Sequence, residues 1–202
     1  MVSPSLTTPR LGHFETVLPP VDAARAAFST SRALVCPDAL EGRLLASVLR
    51  LCERGAFESN TVEGLGHRDI ERPAVAGAAL LLILRRPSLY RWLEEVTGCG
   101  PITDVEGRVV RTYPRPGDEL AWHDDLNGER RRLGVTIGLG AAAYEGGVFE
   151  MRGRPGGEPL LRFRHDVVGA ALIFEVSPRC EHRVHPLSAG GPRQVFTGWF
   201  LG

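Results

Sequence analysis

The spacing of hydrophobic and polar positions along this 202-residue chain changes once, near Gly98. Before that point apolar residues recur at helical intervals. Leu40, Leu44, Leu45, Val48, Leu49 and Cys52 fall on one helical face behind Pro37, and the pattern closes at Gly55. Pro73 opens a second helix through Leu84. Pro87 opens a third, Ser88 to Thr97, with Gly98 as its stop. Asn60 to Arg72 is polar and Gly-containing and reads as a loop. Residues 1 to about 30 are Pro/Ser/Thr-rich at first and read as partly loose, with His13-Phe14-Glu15-Thr16-Val17 a candidate edge strand.

Beyond Gly98 the period becomes that of strands. β-rich runs occur at Arg108–Tyr113, Leu133–Leu139, Val148–Arg152, Leu160–Phe163, Ala170–Val176 and Arg193–Phe200. Gly, Pro and Asp clusters separate them, at Pro114-Arg115-Pro116-Gly117-Asp118, Glu145-Gly146-Gly147 and Arg154-Pro155-Gly156-Gly157. Many short strands with turn chemistry between them predict a sandwich or jelly roll. The expected class is mainly β (α+β), one domain over 1–202. Its helices, within 1–100, buttress a sheet formed by 101–202.

Composition narrows the function classes. With 43% hydrophobic and 24% charged residues the chain can fill one core, as soluble globular proteins do. Its formal net charge is zero, so no overall field draws it to nucleic acid or an anionic membrane. Every one of the 24 cationic side chains is Arg, a residue that stays charged and forms bidentate pairs. Cys36, Cys52, Cys99 and Cys180 show neither zinc-ligand spacing nor a disulfide framework. The longest apolar run, Ala74 to Leu84, is too short to span a bilayer, and Met1 to His13 lacks a signal-peptide pattern. A cytoplasmic enzyme with no nucleic-acid or membrane partner is the expectation; nothing in the chain sets its oligomeric state.

Three stretches carry candidate chemistry: Trp122-His123-Asp124-Asp125, Glu181-His182-Arg183-Val184, and Gly191-Pro192-Arg193. Two imidazoles and one carboxylate hold Fe(II) on one face and leave the other open. In an extended segment His123 and Asp125 share a side while Asp124 points elsewhere, into solvent. The H-x-D triplet alone is weak, since a turn His bonded to a nearby carboxylate looks the same in sequence. The second His has two candidates, His182 and His185, which face opposite sides of a strand. Arg193 is a permanently charged fork that could hold a carboxylate.

His182-Arg183-Val184-His185-Pro186-Leu187, the short turn ending in Arg193, and Gln194-Val195-Phe196-Thr197-Gly198-Trp199-Phe200 resemble the 2-oxoglutarate-dependent Fe(II) oxygenases, in particular their prolyl-4-hydroxylase-like branch. Tyr113-Pro114, the hairpin Tyr144-Glu145-Gly146-Gly147-Val148-Phe149 and the run Val168-Gly169-Ala170-Ala171-Leu172-Ile173-Phe174 are similar to further family segments in the same order, over roughly 107–202. The resemblance implies a double-stranded β-helix (jelly-roll, cupin-like) core. It implies His123, Asp125 and His182 as metal ligands, with His185 on a non-ligand position. Arg193 falls on the residue that pairs with the distal carboxylate of 2-oxoglutarate, and Tyr113, Thr197 and Trp199 on the pocket around it. The implied cofactors are Fe(II), 2-oxoglutarate and O2, with ascorbate a further candidate. The implied reaction couples decarboxylation of 2-oxoglutarate to succinate and CO2 with hydroxylation of an unactivated C–H bond. An amino-acid-like small molecule or a peptidyl residue is the implied substrate. Asp125 stands where related halogenases lack a carboxylate, which favours hydroxylation.

One segment departs from the family. Where Tyr-Leu-Asn often follows H-x-D, with the Tyr touching the co-substrate, this chain has Gly138-Leu139-Gly140, which leaves room beside Arg193 and no second Tyr to help it. Arg111, two residues before Tyr113, is a candidate anion-binding residue for substrate. Its competing reading is a peripheral salt bridge. His13, His67 and His165 read as surface or loop residues, and Arg162 and Arg164 as a solvated strand face. Loops Asn60–Arg72 and Leu126–Arg131 are expected at the pocket mouth. Two other functions compete: a non-catalytic metal-binding jelly-roll module, and a nucleic-acid demethylase of the same superfamily. The demethylases carry a second Arg six residues after the first, where this chain has Trp199.

Overall fold

A computed structural model describes residues 8–62, 66–115, 118, 120–126, 130–154 and 156–202. Four helices occupy the first half: α1 (Val21–Ser31), α2 (Gly42–Arg54), α3 (Val75–Leu84) and α4 (Pro87–Thr97). α4 follows the sequence pattern closely. Pro87 starts it, Gly98 ends it with φ 66°, and Leu89, Trp92, Leu93 and Val96 are buried along one stripe. α2 buries Leu44, Val48 and Cys52 but begins at Gly42, later than Pro37 suggested. The residues between are used elsewhere. Leu11 donates its N–H to the Ala39 carbonyl and accepts from Glu41, so this backbone is bonded before a helix can claim it.

α1 carries no strong sequence signal because it buries only Ala24 and Phe28. Its Ala-rich face packs without the Leu/Ile/Val stripe that marks a helix in sequence. Short strands β1 (Arg10–Leu11) and β2 (Thr16–Val17) precede it, and β3 (Ala33–Cys36) follows it.

The segment expected to be a loop over 60–72 is a hairpin instead, β4 (Phe57–Val62) with β5 (Gly66–Glu71); residues 63–65 lie outside the described ones. It reads as loop because its strands form a sheet edge and bury little beyond Ile70 and Glu71. Glu71 is fully buried and accepts the Ala76 and Gly77 N–H groups at 2.7 and 2.9 Å, which caps the start of α3.

The second half supplies β6 (Asp104–Thr112), β7 (Leu120–His123), β8 (Arg131–Gly138), β9 (Tyr144–Gly146), β10 (Phe149–Gly153), β11 (Pro159–Phe163), β12 (Ala171–Glu175), β13 (Cys180–Val184), β14 (Leu187–Gly190) and β15 (Arg193–Leu201). A seven-stranded sheet runs β3-β12-β8-β15-β6-β5-β4 and a four-stranded sheet β11-β10-β13-β7. β9 and β14 form a separate two-stranded pair. Two facing sheets of this kind, with helices on the outer face of the larger one, make the expected double-stranded β-helix.

Alternation along the strands sorts their residues into two cores. Phe196 and Phe200 of β15, Val105 and Val109 of β6, and Ile173 of β12 face the helices. Leu172 and Phe174 of β12, Phe149 and Met151 of β10, and Trp199 face the space between the sheets. That inner space holds the candidate chemistry.

Candidate metal centre

His123 ends β7, His182 lies in β13 directly opposite it, and Asp125 follows two residues beyond β7. One donor atom from each lies within 4.8 Å of the other two. Asp125 reaches this position by a turn, not by the alternation of an extended segment: its φ is 60°, in the left-handed region that Asp tolerates better than most residues. Asp124 is correspondingly not solvent-directed. It accepts the Leu126 N–H at 3.1 Å and is ion-paired with Arg154. Of the loop expected over Leu126–Arg131, residues 127–129 lie outside the described ones, and Arg131 already belongs to β8.

The protein orients each of the three side chains. His123 Nδ1 lies 2.7 Å from the Ala121 carbonyl, which makes Nδ1 the protonated nitrogen and leaves the Nε2 lone pair for a metal. His182 is buried between aromatic rings, with centroids 5.2 Å from Phe149 and 4.6 Å from Phe174. Phe174 can lie there because β8 carries Gly134 beneath it; a Cβ at that position would sit 2.1 Å from the Phe174 ring. Asp125 lies 3.3 Å from His182 Nε2 and 3.6 Å from His123 Nε2. Its Oδ2 accepts the Trp199 indole N–H at 2.8 Å, and Arg131 stands 3.6 Å from Oδ1 while stacking 3.6 Å over the Trp199 ring.

Electrostatics favours ligation. Burial raises the Asp125 carboxyl, but His182, the Trp199 N–H and His123 outweigh it, so its pKa falls below the usual value and the carboxylate is charged. Burial lowers the His182 pKa against the pull of Asp125, which keeps the ring neutral with a lone pair to donate. Two neutral imidazoles and one carboxylate, converging on one point, fit a divalent iron. His185, the rejected alternative, points away and lies 2.8 Å from Glu150.

On β15, Arg193, Val195, Thr197 and Trp199 share the face turned to this cluster. Arg193 is 8% exposed, and its Nε is buried without a hydrogen-bond partner. Burial lowers its pKa, and Tyr144 opposes that shift. A buried guanidinium with an unpartnered Nε, and no carboxylate beside it among the described residues, is costly unless an anion completes the site. Thr197 stands four residues from Arg193 and two from Trp199 on that face. Trp199 itself is bonded to Asp125. Tyr113 lies just past β6, half-buried.

Two residues beside Arg193 were not expected. Tyr144, on β9, packs against the same Gly147 as the Arg193 side chain and donates its hydroxyl to the His165 carbonyl at 3.2 Å. His165 is buried, against the expectation of a surface residue. Its ring lies over Gly138, where a Cβ would meet it at 3.0 Å, and its Nε2 is 2.9 Å from Thr136 Oγ1. Burial, then the charge of Arg193, pushes its pKa down to about 3, so it is neutral. The space left by glycine at 138 is thus filled by a histidine 27 positions later, and a second Tyr does attend Arg193. The pairing of glycine with a distant ring leaves no local sequence signal.

Arg111 is turned the other way. It stands opposite Gln194, on the face of β15 away from Arg193, and donates to Gln194 Oε1 at 2.6 Å and to the Cys52 carbonyl at 3.2 Å. Its guanidinium covers the Phe57 ring at 3.6 Å. Arg111 therefore joins the sheet to α2 and does not face the triad.

A two-His, one-carboxylate cluster inside a double-stranded β-helix defines the non-haem iron oxygenase class. Residues 108–201 match the family model of the 2OG-Fe(II) oxygenase superfamily, a family whose cofactors are Fe(II), 2-oxoglutarate and O2. No curated protein sequence matches the chain. Among solved structures it is similar to a 2OG-Fe(II) oxygenase-family oxidoreductase from Burkholderia pseudomallei, with TM-score 0.69, 18% identity, and 95% of each chain covered. It is also similar to a Pseudomonas putida prolyl-4-hydroxylase, with TM-score 0.67, 20% identity, and 91% of this chain and 99% of that one covered. A third is a Trichoplax adhaerens prolyl hydroxylase in complex with a hypoxia-inducible-factor peptide fragment, with TM-score 0.67, 20% identity, and coverage of 90% and 88%. These likenesses establish a shared fold.

The Trp199 contact yields a test. Trp199→Phe keeps the ring under Arg131 but removes the donor to Asp125. It should weaken Fe(II) or Mn(II) binding by roughly tenfold, the scale of losing one supporting hydrogen bond to a metal ligand. A metal titration with unchanged affinity would remove Trp199 from the support of the site.

Proposed function

We propose that this protein is an Fe(II)/2-oxoglutarate-dependent dioxygenase that hydroxylates an unactivated C–H bond of an amino-acid-like small molecule or a peptidyl residue. The observation that carries the reading is the convergence of His123, Asp125 and His182 on one point, with Arg193 and its unpartnered Nε on the same inner face. His123, Asp125 and His182 would hold the metal. Bound Fe(II) supplies the coupling of O2 reduction and 2-oxoglutarate decarboxylation, to succinate and CO2, with oxidation of the substrate.

The chain's own residues bind and orient. Arg193 receives the distal carboxylate of 2-oxoglutarate, satisfying the Nε left bare by the fold. Tyr144 lies beside Arg193, while neutral His165, held by Thr136, closes the pocket floor without adding a competing charge. Thr197 shares the inner face of β15 with Arg193 and Trp199. Phe149, Phe174 and Trp199 keep water from the far side of His182. The two prolyl hydroxylases of the same fold support an amino-acid or peptidyl substrate, and the second is named for its complex with a peptide.

Succinate release by purified protein supplied with Fe(II), 2-oxoglutarate and O2 tests this reading. Turnover should require both additions and fall when either is omitted. Metal binding without any succinate would favour a non-catalytic jelly-roll module, and binding of neither ligand would end the enzyme hypothesis.

A further inference from the structure

The backbone holds the three candidate ligands together by a thin connection. β7 is an edge strand of the small sheet, paired with β13 through His182 opposite His123 and Val184 opposite Leu120, and the register shifts between the two. Asp125 lies beyond the end of β7, in a turn. Edge strands and the turns that leave them open at low free-energy cost unless side chains hold them.

Asp124 supplies such a hold. Its Oδ1 accepts the Leu126 N–H at 3.1 Å, which closes an Asx turn around Asp125. Its Oδ2 accepts from Arg154 Nη1. Arg154 comes from the other side of β13. It follows β10, where its own N–H is held by the Arg179 carbonyl at 2.8 Å. On the way to Asp124 its Nε lies 3.3 Å from Glu181 Oε2, and Glu181 precedes His182 in β13. Glu181 is buried, and its other oxygen takes Arg152 at 2.6 Å from the position directly opposite on β10. Arg152 covers the ring of Trp122, the neighbour of His123, at 3.8 Å.

Trp122, Arg152, Glu181, Arg154 and Asp124 thus form one strap across β7, β13 and β10, on the face away from the ligands. Its two cations meet two carboxylates. Arg183, 4.6 Å from the Trp122 ring, is the neighbouring charge, and it is paired with Glu150. The strap touches the chain at residues adjacent to all three ligands.

We propose that Asp124 and Arg154 are positioning residues of the metal centre: their ion pair, braced on Glu181, fixes the Asp125 turn against the His182 strand so that the three donors converge before a metal arrives. This rests on the reading of His123, Asp125 and His182 as metal ligands. A site assembled in advance spends none of its binding energy on gathering its ligands, and a loosened one does. The Arg154 and Asp124 side chains are 40% and 24% exposed, so solvent and salt screen the pair and its effect is moderate.

Titration of metal-free protein with Mn(II), at low and at high ionic strength, tests the strap. Arg154→Gln and Asp124→Asn should each weaken Mn(II) binding by about threefold. Combining them should weaken it no further than the stronger single variant, because either one opens the same pair. Asn keeps the Oδ1 acceptor and with it the turn, whereas Asp124→Ala removes both contacts and should lose about tenfold. High salt should narrow the gap between wild type and the two single variants. The direction is diagnostic, because charge alone acts oppositely on the two: losing a nearby cation tightens the binding of a dication, and losing an anion weakens it. Tighter binding by Arg154→Gln therefore overturns the strap. So does a lower unfolding temperature of the metal-free variants with wild-type Mn(II) affinity, which is the mark of a bridge that serves stability alone. Wild-type protein without Mn(II) affinity would overturn the metal centre itself, and the positioning role with it.

Discussion

Asp125→Ala abolishes 2-oxoglutarate-dependent turnover and leaves a protein that no longer retains Fe(II) at micromolar metal; that is the expected result. Asp125 is the sole carboxylate of the three-residue cluster, and its charge is held by Trp199, His123 and His182. Without it two neutral imidazoles remain, a poor set for a divalent ion. A backbone effect accompanies the substitution, because Asp125 sits at φ 60° and Ala tolerates that region less well, at a cost of about 1 kcal/mol. Asp125→Asn separates the two. Asn suits the left-handed region and keeps the shape, so thermal stability should match wild type while metal affinity falls on the order of 100-fold, the upper end of what even supporting partners contribute. Iron titration of the Asn variant decides the matter: wild-type affinity there would exclude Asp125 from the ligand set.

The second large effect lies on the outer side of the small sheet. Glu150 is 2% exposed and collects Arg162 from β11, Arg183 from β13, and His185. Burial raises its carboxyl, but Arg183, His185 and Arg162 together bring its pKa down to about 2 from 4.5. This is a depressed acid, so the unfolded chain binds the proton more readily than the folded one. The stabilisation is complete above pH 4.5 and is lost as pH falls toward 2. By linkage it amounts to at most about 3 kcal/mol. Exposure of Arg162 at 66% means that solvent screens part of it.

His165 acts in the same direction from a higher pH. Its neutral form is held by the fold down to about 3 against an ordinary 6.5, so protonation favours the unfolded chain and stability falls as pH drops below 6.5. Urea unfolding of wild type should therefore show a gentle decline beginning near pH 6.5 and a steeper one below 4.5. Glu150→Gln should lose stability at neutral pH, by about 2 kcal/mol or more, keep the first decline and lack the second. Parallel curves for the two proteins between pH 5 and 3 would show that Glu150 is not the group responsible.

The readable parts of this protein share a physical property: their signals are local. A Pro at the start, a buried stripe and a Gly at the stop define α4 within twelve residues. Alternation places Arg193, Thr197 and Trp199 on one face of β15 wherever that strand lies. His123, Asp125, His182 and Arg193 stand out as candidates because spacing and surrounding motifs are themselves sequence properties. The elements that were not legible are held by partners far along the chain. α1 packs with small residues, and the β4–β5 hairpin is a strand pair only because β6 offers it an edge.

Determined by the sequence itself, then, are the mainly β second half, the helical support and the four residues of the candidate site, since each follows from a period or a short motif. The tertiary structure decided the remainder. It brought Asp125 in through a left-handed turn, set Trp199 on its carboxylate, filled the space over Gly138 with His165 and turned Arg111 outward to Gln194. Each of these depends on which residues of separate strands stand opposite one another. Register is set by the packing of the whole sheet and leaves no trace in the neighbours of any one residue.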